Sequence, residues 1–394
     1  MRVLLISHTC QSRSEGQPKA RELAAKLDGE LLVLVPERWK HYGRWRHAQP
    51  PVAADYHYAP AKAAWPWTGP GQFYLHWYPT LAKLLRTFRP DVIDVWEEPW
   101  SFVSAHVCWL RNRILPKSRI ISETEQNLDK RYPPPFEWFR SYSLRHADFA
   151  VGRSQEAVRI IRSRGYDGPT EVVPNAVDHE IFHPMDREKC RQELGLQGFV
   201  VGYIGRLVER KGIMDLVDAL RICPPTTNLV FVGSGEYEKK IRVRLRGCGM
   251  ESRARFLPER PLEELPAIMN AIDVLALPSW TVGSWKEQFG RVIIEAQACG
   301  TPVIGSDSGA IPAVIGQGGL VFPERNAASL ASRITELFND PAGRCQLGEK
   351  GRRQVLEKYT WNRVAGQMLR IYQETERVSR KSTHGGEPAW ENRY

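Results

Sequence analysis

The stretch 199-FVVGYIGRLVERKGIMDLVDALRI-222 has the pattern of a strand, a loop and a helix in succession. Its first six residues are almost all apolar, as a strand buried on both faces of a sheet requires. Further on, Ile213, Leu216, Val217 and Leu220 fall at i, i+3, i+4 and i+7, the spacing of one helix face. The stretch therefore predicts a βα unit, the building block of a parallel sheet covered by helices.

The same alternation repeats along almost the whole chain. Predicted strands of a first series are 2–6, 31–35, 91–95, 119–122, 147–151 and 171–173, and those of a second series are 199–204, 228–232, 254–257, 272–277, 302–305 and 320–322. Two series predict two doubly wound α/β domains. The polar stretch 174-PNAVDHEIFHPMDREK-189 is the predicted boundary.

Composition narrows the class of protein without deciding it. The 394 residues are 42% hydrophobic, and no apolar stretch approaches the roughly 20 residues that span a bilayer. The first ten residues, MRVLLISHTC, contain an apolar run that is too short for the core of a signal peptide, and this run fits a first strand. Seven scattered cysteines indicate reduced thiols and a cytoplasmic protein. The net charge of +10 favours an anionic partner such as a nucleotide, a membrane face or a nucleic acid, or serves solubility alone.

Two loops that follow predicted strands carry residues suited to a phosphate. In 203-YIGRLVERKG-212, Arg206, Arg210 and Lys211 lie between a strand end and a helix start, where anions bind readily. In 230-VFVGSGEYEKKI-241, small residues allow close approach of a ligand to the backbone. A solvated basic loop and a plain strand-to-helix turn are the alternative interpretations of these two stretches.

The stretch 287-EQFGRVIIE-295 combines two carboxylates with an apolar helical pattern. The spacing predicts a helix that starts near Gly290, so that the amides of Gln288, Phe289 and Gly290 lie at its first turn. Eight residues of helix rise about 12 Å, too far for the paired carboxylates of a glycoside hydrolase, which stand roughly 5–9.5 Å apart. We therefore interpret Glu287 and Glu295 as groups that bind hydroxyls at opposite ends of an elongated ligand such as a nucleotide sugar.

Taken together, these residues resemble the retaining glycosyltransferases of family 4, which have the GT-B fold and use nucleotide-diphosphate sugars. The matching sets are Gly205 and Arg206 with Lys211 and Gly212, Gly233 to Glu236, Glu287 with Glu295, Ala298 to Ile304, and the segment 175-NAVDHEIF-182, in which Ala176 stands where the family has Gly. The resemblance is strong over about residues 170–325 and thin before residue 90. Each motif alone is weak, but their order and spacing are specific.

The resemblance implies two Rossmann-like domains that face each other across a cleft. An N-terminal acceptor-side domain would span residues 1–180, with a helix at about 358–376 packing back on it. A nucleotide-sugar domain would span residues 181–357, and a polar tail residues 377–394.

The resemblance also implies roles for individual residues. Arg206 and Lys211 would neutralise the donor diphosphate, Glu287 would accept hydrogen bonds from the sugar, and Glu295 would hold the ribose. Further donor contacts would come from a set of mostly small residues and main-chain groups: Gly16, Gly205, Gly233, Gly235, Leu257, Gln288, Phe289 and Gly290. The base would lie near Arg255, Phe256 and Leu257. No metal and no further cofactor is implied, because cationic side chains take the place of the ion.

The chain departs from the family pattern in three places. The loop after the first strand holds one glycine, Gly16, where relatives often have a Gly-Gly pair. Many relatives have an acceptor-side His, whereas the comparable strand ends here are 96-WEEPWS-101 and 122-SETEQN-127. The acceptor-side candidates are therefore Glu98, Glu123, Glu125 and Asn127, and we take Glu125 as the catalytic candidate. Finally, the usual Gly after the Phe256-Leu257 pair is missing.

The region 36–80 looks irregular, and its segment 38–79 is rich in Trp and basic residues. It holds Trp39, Trp45, Trp65, Trp67 and Trp77. Such rings stack on sugars, anchor at a membrane interface or stack on single-stranded nucleic acid, and they also serve ordinary packing. The sequence leaves these roles open.

The sequence predicts a cytoplasmic hexosyltransferase that uses a UDP- or GDP-sugar. Its acceptor would be a cell-surface glycan or a lipid-linked saccharide, reached through peripheral contact with an anionic membrane, and nucleic acid is not an expected partner. The alternative is a non-catalytic nucleotide- or sugar-binding module on the same fold. A nucleic-acid binder would leave Glu287 and Glu295 unexplained.

Overall fold

The computed structural model describes residues 1–41, 44–64, 71–283 and 285–382. Trp65, Trp67 and residues 383–394 of the predicted tail lie outside the described residues. The chain divides into two compact units. Unit 1 contains residues 1–174 and the segment that begins at Trp361, and unit 2 runs from Asn175 to Thr360. The boundary predicted at residue 180 falls inside unit 2.

Unit 1 is built on a parallel sheet and a small hairpin. Its strands are β1 Arg2–Ile6, β2 Glu30–Pro36, β3 Arg38–His41, β4 Arg44–His47, β5 His57–Ala61, β6 Val92–Val95, β7 Arg119–Thr124, β8 Phe149–Gly152 and β9 Thr170–Val172. The sheet has the order β5-β2-β1-β6-β7-β8-β9, and every pairing in it is parallel. Strands β3 and β4 form a separate antiparallel pair.

Helices of unit 1 connect these strands, and the final helix of the described chain also belongs to this unit. They are α1 Gln17–Lys26, α2 Gly71–Leu75, α3 Leu81–Phe88, α4 Phe102–Ile114, α5 Phe136–His146, α6 Gln155–Ser163 and α15 Trp361–Ser382. Helix α15 packs on α1 and β7. It runs six residues past the predicted end at residue 376, because 377-RVSRKS-382 contains neither Gly nor Pro to stop it.

Unit 2 is a second doubly wound sheet. Its strands are β10 Phe199–Ile204, β11 Thr227–Val232, β12 Ala254–Leu257, β13 Val274–Leu277, β14 Val303–Ser306 and β15 Gly319–Phe322. Its helices are α7 Arg187–Leu194, α8 Ile213–Leu220, α9 Glu238–Gly247, α10 Leu265–Ala271, α11 Arg291–Ala298, α12 Ile311–Ile315, α13 Ala327–Asn339 and α14 Pro341–Lys358. The sheet has the order β12-β11-β10-β13-β14-β15, again with parallel pairings.

Both faces of the unit 2 sheet are covered, as the continuous apolar runs predict. Neighbouring residues on β10, Val200 and Val201, are fully buried in two different apolar clusters. The same division holds for Val274 and Leu275 on β13. Successive side chains of a strand point to opposite faces, so helices must pack on each side of the sheet.

The segment predicted to be irregular, about residues 36–80, contains regular structure. It forms the β3–β4 hairpin, the edge strand β5 and the short helix α2. Strand β5 escaped the sequence analysis because His57–Ala61 carries Pro60 and little apolar character. A proline is tolerated there because an edge strand pairs on one side only.

A buried network of charges lies beneath the carboxyl edge of the unit 1 sheet. Lys19 on α1 contacts Asp94 at 3.1 Å and also pairs with Glu123, while Arg153 pairs with the other oxygen of Glu123. The hydroxyl of Tyr372 on α15 donates to Asp94 at 2.5 Å. Burial and the neighbouring Glu123 raise the pKa of Asp94, whereas Arg153 and Lys19 outweigh burial and lower the pKa of Glu123.

Replacing Lys19 by methionine should destabilise unit 1 strongly. The side chain is completely buried, so its loss leaves Asp94 facing Glu123 without the intervening cation. Breaking such a pair costs about 3–5 kcal/mol of unfolding free energy, which urea denaturation would measure. Lys26→Met, at the end of the same helix, should change the unfolding free energy by less than about 1 kcal/mol. Equal effects of the two substitutions would refute a structural role for the network.

Candidate active site

The predicted donor residues of unit 2 lie along the carboxyl edge of its sheet. Gly205 and Arg206 follow β10, and Lys211 ends a short turn that leads into α8. Gly233 follows β11, and Leu257 ends β12. Gly235 lies two residues beyond Gly233 in the same loop. Parallel strands end at one edge, and this edge is where ligands bind in such sheets.

Lys211 and Glu287, which are far apart in sequence, form an ion pair at this edge. The Lys211 ammonium lies 2.5 Å from Glu287 Oε2, and the Ser279 hydroxyl donates to the same oxygen at 3.1 Å. The ammonium also lies 4.8 Å from the centre of the Trp285 ring. Both partners of the pair are largely buried, so each compensates a charge that would be costly alone.

The loop after β13 is fixed to the loop after β10, and this brings the pair together. Trp280 donates its main-chain N–H to the Arg210 carbonyl at 2.8 Å and its indole N–H to Asp215 at 2.6 Å. Burial raises the pKa of Asp215, against the effect of the indole hydrogen bond. On the other side, the Glu287 carbonyl accepts from the Ala310 amide at 3.1 Å. A Cβ on Gly309 would lie 2.2 Å from that carbonyl oxygen, so this approach requires glycine.

The helix after Glu287 starts near Gly290 as predicted, but the amides assigned to its first turn precede it. Helix α11 begins at Arg291, and Gly290 is its N-cap with φ 78°, which is not a helical conformation. Gln288 and Phe289 therefore precede the helix, and Phe289 packs in the core with its ring edge against Tyr359 at 5.8 Å. The apolar spacing placed Phe289 in the helix because its side chain lies in the same core as the apolar residues of α11, although it precedes the turn at Gly290. The carboxylates of Glu287 and Glu295 are thus not separated by eight helical residues.

The remaining predicted donor residues take positions of several kinds. Glu295 is nearly buried on α11, with the Arg291 guanidinium 3.9 Å away. Arg255 donates to the Leu194 carbonyl, and Phe256 stacks on Phe231 with ring centres 4.9 Å apart. The side chains of Arg255 and Phe256 therefore hold β12 in place, and the contact of the base near Leu257 stays a prediction.

Gly16, the predicted phosphate-approach residue, belongs to unit 1. It is the N-cap of α1 and is buried. A Cβ there would lie 2.5 Å from the Cys10 nitrogen. The glycine is therefore required by the tight turn after β1, and its contact with a donor phosphate stays a prediction.

The acceptor-side candidates of unit 1 differ in how accessible their side chains are. Both oxygens of Glu123 are engaged by the buried cations, so this carboxylate is unavailable to an acceptor. Asn127 is 2% exposed. Glu98 accepts from the Thr124 hydroxyl at 2.5 Å and from the Glu125 amide at 2.8 Å. The Glu125 side chain is 38% exposed, with Arg153 Nε 3.9 Å away, so it is more accessible than the buried Glu123 and Asn127.

A histidine–carboxylate cluster beside these residues was missed by the sequence analysis. His8 follows β1, and its Nδ1 lies 2.8 Å from both oxygens of Glu97, which also accepts from the His8 main-chain N–H at 2.6 Å. His76 lies 3.8 Å from Glu97 on another side. Trp39 stacks on the His8 ring at 4.8 Å, and Phe73 meets it edge-on at 5.5 Å. The available signal was the position of His8 two residues after β1, at the carboxyl end of that strand.

Electrostatics couple the two members of this cluster. Burial works against the charged form of His8, but the Glu97 carboxylate outweighs it and raises the pKa of the imidazole. Burial likewise opposes ionisation of Glu97, and the contact with His8 lowers its pKa. Burial lowers the pKa of His76. The surroundings thus favour the imidazolium form of His8 and the carboxylate form of Glu97, and they favour the neutral form of His76.

Among the described residues, no group of three or more His, Cys, Asp or Glu side chains is arranged to hold a metal ion. Within the same residues, no helix combines the length and the apolar character needed to cross a bilayer.

The Lys211–Glu287 pair should show a large coupling in a double-mutant cycle. Removal of Lys211 alone leaves a largely buried carboxylate, so Lys211→Met should lower the unfolding free energy by about 2–4 kcal/mol. Lys211→Met combined with Glu287→Gln should cost less than the sum of the two single changes, by about 1–3 kcal/mol. Urea denaturation of the four proteins gives the coupling. Strictly additive effects would show that the two groups do not interact in solution.

Glu98 should destabilise the fold as the pH rises. Burial raises its pKa to about 7, so the folded state holds a proton that the unfolded state releases near the ordinary carboxyl pKa. The protonated form of Glu98 therefore contributes its full share of the unfolding free energy below the carboxyl pKa of the unfolded chain. This contribution is lost as the pH rises through the folded-state pKa of about 7. Glu98→Gln, which carries no charge, should gain stability relative to the parent by about 1–3 kcal/mol between pH 5 and pH 8. A difference that is constant with pH, measured by denaturation at each pH, would contradict this.

Two family models match the chain, one in each half. The description "Glycosyltransferase Family 4" matches residues 20–181, and "Glycosyl transferases group 1" matches residues 186–354. Among curated relatives, a D-inositol 3-phosphate glycosyltransferase of Corynebacterium jeikeium is 28% identical over 71% of this chain and 68% of its own length. A GDP-mannose-dependent monoacylated alpha-(1-6)-phosphatidylinositol monomannoside mannosyltransferase of Corynebacterium glutamicum is 32% identical over 56% of this chain and 60% of its own length. The chain spans less than two thirds of the length of this second relative, and the same is true of several other curated relatives.

Solved structures share the fold over nearly the whole chain. Sucrose-phosphate synthase from Thermosynechococcus elongatus superposes with a TM-score of 0.74 at 22% identity, over 96% of this chain and 100% of its own. The Anabaena protein HepE in complex with UDP superposes with a TM-score of 0.75 at 20% identity, over 95% and 100%. These likenesses show the GT-B fold, with its two Rossmann-like domains. The two family models, which together match most of the chain, show that it belongs to the GT4-like glycosyltransferases.

Proposed function

We propose that the protein transfers a hexose, with retention of configuration, from a UDP- or GDP-sugar to a glycan or lipid-linked saccharide. The observation that carries the proposal is the Lys211–Glu287 pair at the carboxyl edge of the unit 2 sheet, where Lys211 shares the loop after β10 with Arg206. A nucleotide sugar has anionic phosphates next to neutral hydroxyls. This edge offers a cation and a carboxylate side by side, which suits those two kinds of group.

In this proposal unit 2 binds the donor. Lys211 and Arg206 face the diphosphate, so the ammonium of Lys211 exchanges part of its contact with Glu287 for a phosphate oxygen. Glu287 then accepts hydrogen bonds from the sugar hydroxyls. The Gly290 amide and the first-turn amides of α11 bind oxygen atoms of the donor, and Glu295 on that helix binds the ribose.

Unit 1 binds the acceptor, through Glu125 and its neighbours at the sheet edge. The acceptor oxygen forms its bond to the anomeric carbon on the face from which the diphosphate leaves, and the bond between that carbon and the phosphate oxygen breaks. The acceptor proton passes to the departing diphosphate oxygen. Lys211 and Arg206 stabilise the charge on the leaving group, so the reaction needs positioning and charge stabilisation and no protein nucleophile.

Two features of relatives support the class of substrate. The mannosyltransferase of Corynebacterium glutamicum is named as GDP-mannose-dependent and as acting on a phosphatidylinositol monomannoside, and the structure of HepE contains UDP. We therefore assign a nucleotide-diphosphate sugar as donor and place a saccharide on a lipid carrier among the acceptors. The seven cysteines of the chain are free thiols, which fits a reaction in the cytoplasm.

The test is a donor screen with the full chain, reading release of nucleotide from UDP- and GDP-hexoses without acceptor. One donor should be hydrolysed slowly by the parent, and Lys211→Ala and Glu287→Ala should each lower the rate at least about a hundredfold, because each removes an interaction with the reacting groups. Lys239→Ala, an exposed position on α9, should leave the rate unchanged.

Calorimetry with UDP and GDP completes the test. Binding of a nucleotide without release from any sugar donor would favour a non-catalytic nucleotide- or sugar-binding module. Wild-type rates in Lys211→Ala or Glu287→Ala, with the fold intact by circular dichroism, would show that the site assignment is wrong.

A further inference from the structure

A cavity lies at the amino edge of the unit 1 sheet, at the end of the strands opposite to the candidate acceptor residues. Its volume is about 350 Å³, and its walls come from the loop between α3 and β6, the loop between α4 and β7, and helix α15. A cavity of this volume falls within the range of small-molecule binding sites, about 300–1,000 Å³. The charged residues that line it are Arg89, Asp91, Lys117, Arg119 and Glu376.

Hydrogen bonds hold the two loops of this cavity together and fix them to the sheet. The Ser118 hydroxyl donates to the Pro90 carbonyl at 2.6 Å, and the Arg119 main-chain N–H donates to the Asp91 carbonyl at 2.8 Å. Asp91 is also tied to β1, because its Oδ2 accepts from the Arg2 main-chain N–H at 2.7 Å. The ring of Pro90 restricts the backbone of the first loop further. The walls are thus preformed, which lowers the conformational entropy that a ligand would have to offset.

Cations from both loops are available to a ligand in this cavity. Within the described residues, neither the Arg89 guanidinium nor the Lys117 ammonium has an ion pair or a hydrogen bond, and both residues are exposed. Arg119, in contrast, is anchored, because its Nη1 lies 2.7 Å from Asp148 Oδ1. One fixed guanidinium and two cations without partners therefore line the same space. Such groups bind phosphate oxygens through charge-assisted hydrogen bonds.

The backbone of Arg89 points to a role for its side chain. Arg89 is the C-cap of α3 with φ 49° and ψ 62°, the left-handed conformation that glycine or asparagine usually adopts at a helix end. An arginine in this conformation costs stability relative to glycine, and the turn itself does not need its side chain. Residues held in such conformations cluster at ligand-binding sites. The guanidinium of Arg89 at the cavity therefore explains what the turn alone does not.

Carboxylates in the same cavity narrow the chemistry of the ligand. Asp91 and Glu376 line it together with the cations. Carboxylates accept hydrogen bonds from hydroxyl groups, and they repel a ligand that is anionic throughout. The walls therefore suit a small molecule that has one anionic group and several hydroxyls, and they do not suit a polyanion.

We propose that this cavity binds a hexose phosphate, at a site separate from that of the transfer reaction. The phosphate contacts Arg89, Lys117 and Arg119, and the hydroxyls of the sugar ring donate to Asp91 and Glu376. The proposal goes beyond the transfer reaction and does not depend on it, since the candidate donor and acceptor residues follow the carboxyl ends of the strands and this cavity lies at the amino ends.

The test is titration calorimetry of the full chain with glucose 6-phosphate, glucose 1-phosphate and mannose 1-phosphate. At least one of these probes should bind, and glucose or inorganic phosphate alone should bind about tenfold more weakly, because each engages only one kind of wall. Arg89→Asn should weaken binding about tenfold through the loss of a charge-assisted hydrogen bond. Its thermal unfolding midpoint should not fall, since asparagine tolerates a positive φ. Lys117→Ala should weaken binding about fivefold.

Controls separate this cavity from the donor site and from general charge. Arg86→Ala removes an exposed cation of α3 that does not line the cavity, and this variant should bind the probes as the parent does. Lys211→Ala, and the parent saturated with UDP, should also bind them unchanged. Failure of all three probes to bind the parent, an equal loss in Arg86→Ala, or a loss in Lys211→Ala would overturn the proposal. None of these outcomes bears on nucleotide release from a sugar donor, which tests the transfer reaction separately.

Discussion

The parallel arrangement of both sheets is the constraint on which the rest of the structure depends. Parallel strands need helical crossovers, and these crossovers cover both faces of each sheet and bury its polar main chain. Side chains that follow the strands then have one place left to meet, the carboxyl edge. The carboxyl edge of the unit 2 sheet brings together Lys211 and Glu287, which are 76 residues apart in sequence. The carboxyl edge of the unit 1 sheet brings together His8 and Glu97, which are 89 residues apart.

Buried carboxylates at the carboxyl edges of the two sheets are stabilised in different ways. At the unit 2 edge, the cation of Lys211 and the carboxylate of Glu287 compensate each other as an ion pair. At the unit 1 edge, His8 compensates Glu97, whereas burial raises the pKa of Glu98 against the effect of its hydrogen bonds from Thr124 and Glu125. Groups of this kind, held close to ionisation by their surroundings, are suited to bind hydroxyls and to respond to a neighbouring negative charge.

The fold was largely predictable because short continuous apolar runs, repeated between helical patterns, are typical of strands buried on both faces. The runs at 199–204 and 272–277 predicted central strands, and β10 and β13 are there. Strand β5 could not be predicted, since an edge strand with Pro60 lacks the apolar pattern and gains its place by pairing with β2. The amides before Gly290 were misassigned to the first turn of α11, because the apolar spacing continues through Gly290 although its positive φ ends the helix there.

The candidate site was predictable where a motif follows a strand and less so where contacts are long-range. Arg206, Lys211 and Glu287 were named from local patterns and a resemblance. The pairing of Lys211 with Glu287 depends on the Trp280 contacts, which no local pattern reveals. Lys19 and Arg153 likewise occupy both oxygens of Glu123, which removes this carboxylate from the acceptor-side candidates. These contacts could not be predicted, because they depend on how α1 and the turn after β8 pack in the fold.

The position of helix α15 in the sequence affects the order in which the two units can complete their folding during synthesis. Helix α15 packs on α1 and supplies the Tyr372 hydroxyl to Asp94 in the core of unit 1, although the whole of unit 2 is translated between them. Unit 2 is a contiguous segment and can complete its core while the ribosome is still working. Unit 1 therefore completes its core only after the residues of unit 2 and of α15 have been synthesised, although all the strands of its sheet precede unit 2.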